Sequence, residues 1–132
     1  MSLMAIVEGA RGVWFWSLGH RGLLDAGAKQ QEYWQRLLKV TQELKSLEPA
    51  LAAADAPQAV TAVSDPQIRW RARVADGKCH VFAYRPSLKF VSDPSQAESV
   101  AVRFTLADGR VVERRFRPDF ADWFSAAVSS AK

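Results

Sequence analysis

The sequence feature that most constrains the fold is a strict alternation of apolar and arginine side chains across residues 68–74. Apolar side chains occupy every second position and arginines fill the positions between them: Ile68, Trp70, Ala72 and Val74 against Arg69, Arg71 and Arg73. A period of two is the side-chain period of a β-strand, so the apolar face is predicted to be buried. The arginine face is predicted to lie in water, as on one side of an antiparallel sheet.

Two Asp-Gly pairs predict tight turns between strands, because this dipeptide favours the positive φ angles of hairpin turns. Asp76-Gly77 follows the alternating segment, and Asp108-Gly109 follows a second alternating segment at residues 100–106. The strands predicted in this half of the chain cover residues 60–63, 68–74, 79–84, 88–91, 100–106 and 110–117. Strands and turns at this spacing predict a small antiparallel β-sandwich.

One amphipathic helix is predicted in the first half of the chain, over residues 31–48. Its apolar positions recur at three- and four-residue spacing and consist of Trp34, Leu37, Leu38, Thr41, Leu44 and Leu47, with Leu51 beyond. Pro49 is expected to stop the helix, since the residue before a proline avoids the helical region. The alanine-rich residues 50–62 are interpreted as a connector.

The apolar run from Gly12 to Leu18 (GVWFWSL) is predicted to be a strand that is buried on both faces. A single helix covers only one face of it, and unpaired strand edges recruit other chains. We therefore expect this strand to drive self-association or docking on a partner, with insertion into the chain's own β-domain as the alternative. Loop residues are expected to follow it as far as residue 30.

The C-terminal stretch is open to two interpretations. Phe120, Trp123, Phe124, Ala127 and Val128 recur at helical spacing. The alternative is a loop through Asp122 that leads into a closing strand around residues 127–130.

Length and composition predict a globular chain with a substantial core. The chain has 132 residues, of which 48% are hydrophobic and 24% charged, and a chain of this size buries roughly two thirds of its unfolded surface. The apolar runs are too short for a transmembrane helix, and residues 1–7 lack the pattern of a signal peptide. The fold class expected is α+β, with a strand–loop–helix segment at residues 1–55 and a β-sandwich domain at residues 56–132.

Neither the net charge nor the residues that could bind a metal indicate a specific function. The net charge of +4 falls in residues 60–132, because residues 1–59 carry six basic and six acidic side chains. Nucleic-acid binding is not expected, since Trp70 points away from the arginines that would hold phosphates. Cys79 and His80 are neighbours and point to opposite faces of a strand, so no metal site is expected, and no cofactor either.

Four segments, in this order, resemble the C-terminal end of a TIM-barrel glycoside hydrolase. Residues 9–18 (GARGVWFWSL) are similar to the last barrel strand, and residues 33–48 (YWQRLLKVTQELKSLE) to the helix behind it. Residues 77–86 (GKCHVFAYRP) and residues 120–128 (FADWFSAAV) are similar to strands of the accessory sandwich that follows such barrels. This last similarity favours the strand interpretation of the C-terminal stretch.

The resemblance implies a structural role rather than catalysis. Glycosidic cleavage needs two carboxyl groups about 5–10 Å apart, and the sequence offers one barrel-like strand with no Asp or Glu directly after it. Trp14, Trp16 and His20 lie where such barrels form part of their sugar-binding wall, and they are the candidate carbohydrate-binding residues; packing of both tryptophans in the core is the alternative. The function expected is a non-catalytic C-terminal region that stabilises a barrel domain and contacts carbohydrate weakly. A free-standing carbohydrate-binding or protein-interaction module is the alternative.

Overall fold

In the computed structural model, two three-stranded antiparallel sheets face each other, and helices cover the outer face of one of them. The structure describes residues 2–12, 30–86 and 98–128. The described helices are α1 (Ser2–Val7), α2 (Gln30–Ser46) and α3 (Glu48–Ala52), with a 3-10 turn at Pro57–Ala59. The described strands are β1 (Val60–Val63), β2 (Arg69–Ala75), β3 (Lys78–Tyr84), β4 (Val100–Leu106), β5 (Val111–Phe116) and β6 (Ala121–Ala127). The predicted α+β class is confirmed.

The strands divide into an outer sheet, in the order β1-β4-β5, and a central sheet, in the order β2-β3-β6. Both predicted turns are present. Asp76 and Gly77 join β2 to β3 with φ angles of 49° and 68°, as a tight hairpin requires, and Gly109 adopts a φ of 83° between β4 and β5. The two sheets therefore follow from hairpins that the sequence marks clearly.

The first core lies between the two sheets and consists of Val60, Ile68, Ala72, Cys79, Val81, Ala83, Val102, Phe104, Leu106, Phe116 and Phe124. Phe104 is at its centre, with its ring centroid 5.3 Å from that of Phe124 and 6.1 Å from that of Phe116. Edge-to-face and tilted arrangements of this kind are the preferred geometries of aromatic pairs. Of the apolar face predicted to be buried, Ile68 (just before β2) and Ala72 enter this core and Trp70 packs against it. Val74, near the end of β2, is 39% exposed, so the prediction of burial is wrong at that position.

A second core lies on the opposite face of the central sheet and corrects the prediction that the arginine face is solvated. It consists of Ile6, Val7, Leu47, Ala50, Leu51, Phe82 and Tyr84. Arg73, on this face of β2, is 1% exposed. The physical reason is that α1 and α3 pack across the sheet, and six-residue α1 is too short to show a helical period in the sequence.

The predicted helix over residues 31–48 is found as α2, which ends at Ser46. Pro49 was expected to stop the helix, and this prediction is wrong. It lies in the first turn of α3, where its missing N–H has no intrahelical acceptor in any case. Residues 50–62 are more than a connector, because they contain the rest of α3, the 3-10 turn and most of β1.

The C-terminal stretch forms strand β6, so the helical interpretation is wrong. The strand begins at Ala121, earlier than expected, and runs antiparallel to β3 with Phe124 opposite Val81. Pairing along the whole of β3 decides the conformation, and Phe124 enters the first core. The strands predicted at residues 13–18 and 88–91 lie outside the described residues.

Candidate functional site

The arginines of β2 hold the helical layer on the central sheet, and this ionic junction is the most densely bonded polar feature of the described chain. At its outer end, the Arg69 Nε lies 2.6 Å from the Glu8 carboxylate, and the Tyr84 hydroxyl donates to the same carboxylate at 2.6 Å. These hydrogen bonds, first the one from Tyr84 and then the one from Arg69, lower the pKa of Glu8, so the carboxylate stays ionised.

The inner end of the junction centres on buried Arg73. Its Nε donates to Asp55 Oδ1 at 3.0 Å, and its Nη1 donates to the carbonyl of Leu51 at 3.1 Å. Arg71 donates through Nη1 to the other oxygen of Asp55 and through Nε to the carbonyl of Val7 at 2.8 Å. The hydrogen bond from Arg73 and the charge of Arg71 lower the pKa of Asp55. One carboxylate thus ties β2 to the chain just after α3.

Backbone geometry brings α1 close to these arginines. Gly9 follows α1 with a φ of 110°, and a Cβ atom built on it would lie 3.3 Å from Nη2 of Arg71. Glycine is the residue that tolerates both this conformation and this approach. Sequence reasoning missed the junction because its acidic partners, Glu8 and Asp55, lie far from β2 in the chain and outside any periodic pattern.

Helix α2 is half-buried along one side of its C-terminal half and exposed at its N-terminal end. Trp123 of β6 donates from Nε1 to the Glu43 carboxylate at 2.6 Å, which holds the last turns against the second core. Leu37, Leu38 and Leu44 are half-buried, whereas Trp34 is 44% exposed. The apolar stripe predicted from the sequence is therefore only partly covered within the described chain.

A cavity of about 420 Å³ lies beside the C-terminal end of α2, between that helix, α3 and the residues that follow α1. We call it the helical cleft, and its lining consists of Arg11, Gly12, Leu44, Lys45, Glu48, Leu51 and Ala52. Gly12 is the first residue of the predicted strand at residues 12–18. The candidate carbohydrate-binding residues Trp14, Trp16 and His20 lie outside the described residues.

Cys79 and His80 point to opposite faces of β3, as predicted. Cys79 lies in the first core, where burial raises the pKa of its thiol. His80 faces the helical side, with its ring 6.5 Å from that of Trp123, and burial lowers the pKa of its imidazole. Within the described ranges, no three histidine, cysteine or carboxylate side chains come together as metal ligands.

Arg114 and Arg115 lie on β5 of the outer sheet. Arg115 donates to the hydroxyl and the carbonyl of Ser99, and the Arg114 guanidinium lies 5.5 Å from the centre of the Phe124 ring. A guanidinium at this distance from an aromatic face is a stabilising contact. The inner arginines, Arg71 and Arg73, contact backbone carbonyls and Asp55, so they are part of the scaffold.

Comparison with known proteins gives no family for this chain. No family model, no curated protein and no solved structure matches it. Among the described helices, none has the length and apolar character needed to cross a membrane.

Proposed function

We propose that this chain is a non-catalytic C-terminal region of a glycoside-hydrolase-like protein, which stabilises or orients a barrel domain and contacts carbohydrate weakly. The observation that carries the proposal is the ionic junction, because it makes the helical segment and the β-sandwich parts of one packed structure. The junction holds α1 and α3, and the hydrogen bond from Trp123 to Glu43 holds α2, so a domain docked on the helical segment is coupled to the sandwich. The resemblance of residues 9–18 and 33–48 to a last barrel unit supports a barrel domain as that neighbour.

The exposure gradient along α2 supports the docking part of the proposal. The end of α2 nearest the sandwich is anchored through Glu43, while Trp34 and Tyr33 at the other end are 44% and 41% exposed. Large aromatic side chains are enriched at protein interfaces, where their burial dominates the energetics. The N-terminal half of α2, with the predicted strand at residues 12–18, is the surface that would meet the barrel.

The carboxylates of the junction are unsuited to act as the general acid of glycoside cleavage. Glu8 and Asp55 both have lowered pKa values and both accept hydrogen bonds from arginine, so neither serves as the protonated acid that glycoside cleavage requires. We expect the isolated chain to release no aryl alcohol from a panel of aryl glycosides. Turnover that disappears when one Asp or Glu is changed would contradict the proposal.

The alternative function is a free-standing module that binds carbohydrate or a protein, including a second copy of the chain through residues 12–18. The exposed rings of Tyr33 and Trp34 favour it, since a flat aromatic face stacks on a pyranose ring.

The coding sequence upstream of Met1 separates the two functions. An in-frame extension of a few hundred codons with paired carboxylates supports the accessory region, whereas a stop codon and a ribosome site support the module. Sedimentation of the wild type and of a Trp14→Ser/Trp16→Ser variant then tests the dimer. A wild type that is monomeric at high micromolar concentration contradicts self-association.

A further inference from the structure

A second cavity, of about 380 Å³, lies at one end of the β-sandwich. The 3-10 turn, the ends of β2 and β3, the β4–β5 turn and the end of β6 surround it. We call it the end pocket, and the residues that matter for its chemistry are Val74, Cys79, Ala107, Asp108, Arg110 and Val128. It is separate from the ionic junction, which lies on the other face of the central sheet.

The end pocket is mostly apolar and open to solvent. Val74 and Val128 line it and are 39% and 44% exposed, respectively, so hydrocarbon surface faces water there. Its volume equals that of about a dozen water molecules and falls at the lower end of the range for ligand pockets. Binding of an apolar group would remove this surface from water.

Arg110 is the polar group best placed to orient a ligand. Its Nε donates to Asp108 Oδ2 at 2.7 Å, and its Nη2 donates to the carbonyl of Ala127, so the guanidinium is fixed on two sides. Nη1 makes no hydrogen bond to the described residues and keeps its donors. The Asp108 carboxylate pairs with Arg110 at 2.6 Å, and its negative charge disfavours a second carboxylate beside Arg110 and favours a neutral hydrogen-bond acceptor.

Cys79 argues for binding rather than covalent chemistry in the end pocket. The thiol is buried, and burial together with the Asp108 charge raises its pKa. Because the thiolate is the nucleophilic form, a raised pKa keeps the sulfur unreactive at neutral pH.

We propose that the end pocket binds a small neutral ligand that has an apolar body and a single carbonyl-type acceptor. The apolar body lies among Val74, Val128 and Leu106, which also lines the pocket, and the acceptor lies on Arg110. This site goes beyond the proposed function, since it involves neither the barrel surface nor a sugar. A sugar has too many hydroxyl groups for a lining of this kind to satisfy.

Titration of the full chain with 4-phenyl-2-butanone, followed by amide chemical shifts, tests the proposal. We expect saturable shifts confined to the end pocket, with 4-phenylbutanoate weaker and 4-phenylbutylammonium weakest. Shifts spread over the whole chain, the opposite ranking, or the same shifts with methyl glucoside would overturn it.

Variants separate the pocket from the general surface. Ala107→Phe, at an exposed residue that lines the pocket, is expected to weaken binding about tenfold or more by filling it. The control is Ala101→Phe, which is exposed on β4 outside the pocket and should leave binding unchanged. Equal effects of the two variants would contradict the site.

The polar contact has its own test. Arg110→Met is expected to weaken the ketone about threefold to tenfold, the range of one hydrogen bond, while Arg117→Met is neutral. A chain that ends at Val128 serves as a last control. Binding by the shortened chain alone would show that residues 129–132 compete for the pocket, and it would overturn the proposal for the full chain.

Discussion

The two faces of the central sheet are buried by different kinds of side chain. On the sandwich side, the first core is hydrocarbon apart from the Cys79 thiol, and aromatic rings pack around Phe104. On the helical side, Arg71 and Arg73 lie next to the apolar side chains, and both pair with the Asp55 carboxylate. The comparison shows that one strand, β2, presents an apolar face to the outer sheet and a cationic face to the helical layer. The outer sheet contributes apolar side chains, and the helical layer contributes carboxylates.

This difference has consequences for stability. Burial of hydrocarbon contributes in proportion to area and responds little to pH. A buried guanidinium is costly unless its partners are in place, so it adds specificity to the attachment of α1 and α3 more than net stability. We therefore expect the sandwich to supply most of the free energy of folding and the ionic junction to decide where the helices sit.

The largest effect is expected in the sandwich. Phe104→Ala removes a fully buried ring that contacts two other phenylalanines, and such a change costs about 3–5 kcal/mol. Urea denaturation measures the loss. A cost below about 1 kcal/mol, the range of surface changes, would mean that the first core does not carry the fold.

A smaller loss is expected at the ionic junction. Arg73→Ala removes three hydrogen bonds, to Asp55, Leu51 and Ala10, at 3.0, 3.1 and 3.5 Å. It leaves Asp55 with Arg71 and partial solvent exposure. The expected cost is therefore about 2–3 kcal/mol, less than for a pair whose two members are both buried. Arg115→Ala on the outer sheet is the matched control and should change the free energy of unfolding by less than about 0.5 kcal/mol. Equal costs for the two arginines would contradict the buried role of Arg73.

The free energy of unfolding should depend on pH through different groups on the two faces of the central sheet. On the helical side, the lowered pKa of His80 means that stability falls as the pH drops below about 6.5, and the lowered pKa of Asp55 adds a second loss below about 4. On the sandwich side, the raised pKa of Cys79 means that stability falls as the pH rises above about 8.5.

Two variants assign these pH steps. His80→Phe should remove the loss near pH 6 and keep the alkaline loss, while Cys79→Ala should do the reverse. Urea denaturation at intervals across the pH range is the measurement. If either variant removed both the acid loss and the alkaline loss of stability, the assignment of one loss to each face would be wrong.

The smallest effect is expected on the exposed half of α2. Trp34→Ser should change the free energy of unfolding of the isolated chain by less than about 1 kcal/mol, because the ring is 44% exposed. Gln35→Ser is the control on the same helix. A loss at Trp34 comparable with that at Phe104 would show that the stripe is covered within the isolated chain, which weakens the case for docking.

The sandwich was predictable because its signals are local. Asp76-Gly77 and the alternation along β2 specify a hairpin and a buried face within fewer than twenty residues. The burial of the arginine face was not predictable, since it depends on pairing with Glu8 and Asp55, which approach β2 only after the chain has folded.

The C-terminal stretch shows a further limit of local reasoning. The pattern of Phe120 to Val128 suits a helix as well as a strand, and pairing of β6 with β3 along its whole length decides between them. The candidate residues Trp14, Trp16 and His20 stay predictions, because they lie outside the described residues.

Amide hydrogen exchange in a Glu8→Gln/Asp55→Asn variant at neutral pH tests most directly the claim that the ionic junction holds the helical layer. The variant removes both negative charges of the junction and keeps the shapes of the side chains. We predict that the amides of Ala10 and Leu51, which are bonded to the carbonyls of Ala5 and Leu47, lose protection by about tenfold or more, while amides within β4 keep the wild-type values. Unchanged protection at Ala10 and Leu51, or an equal loss in β4, would contradict the account.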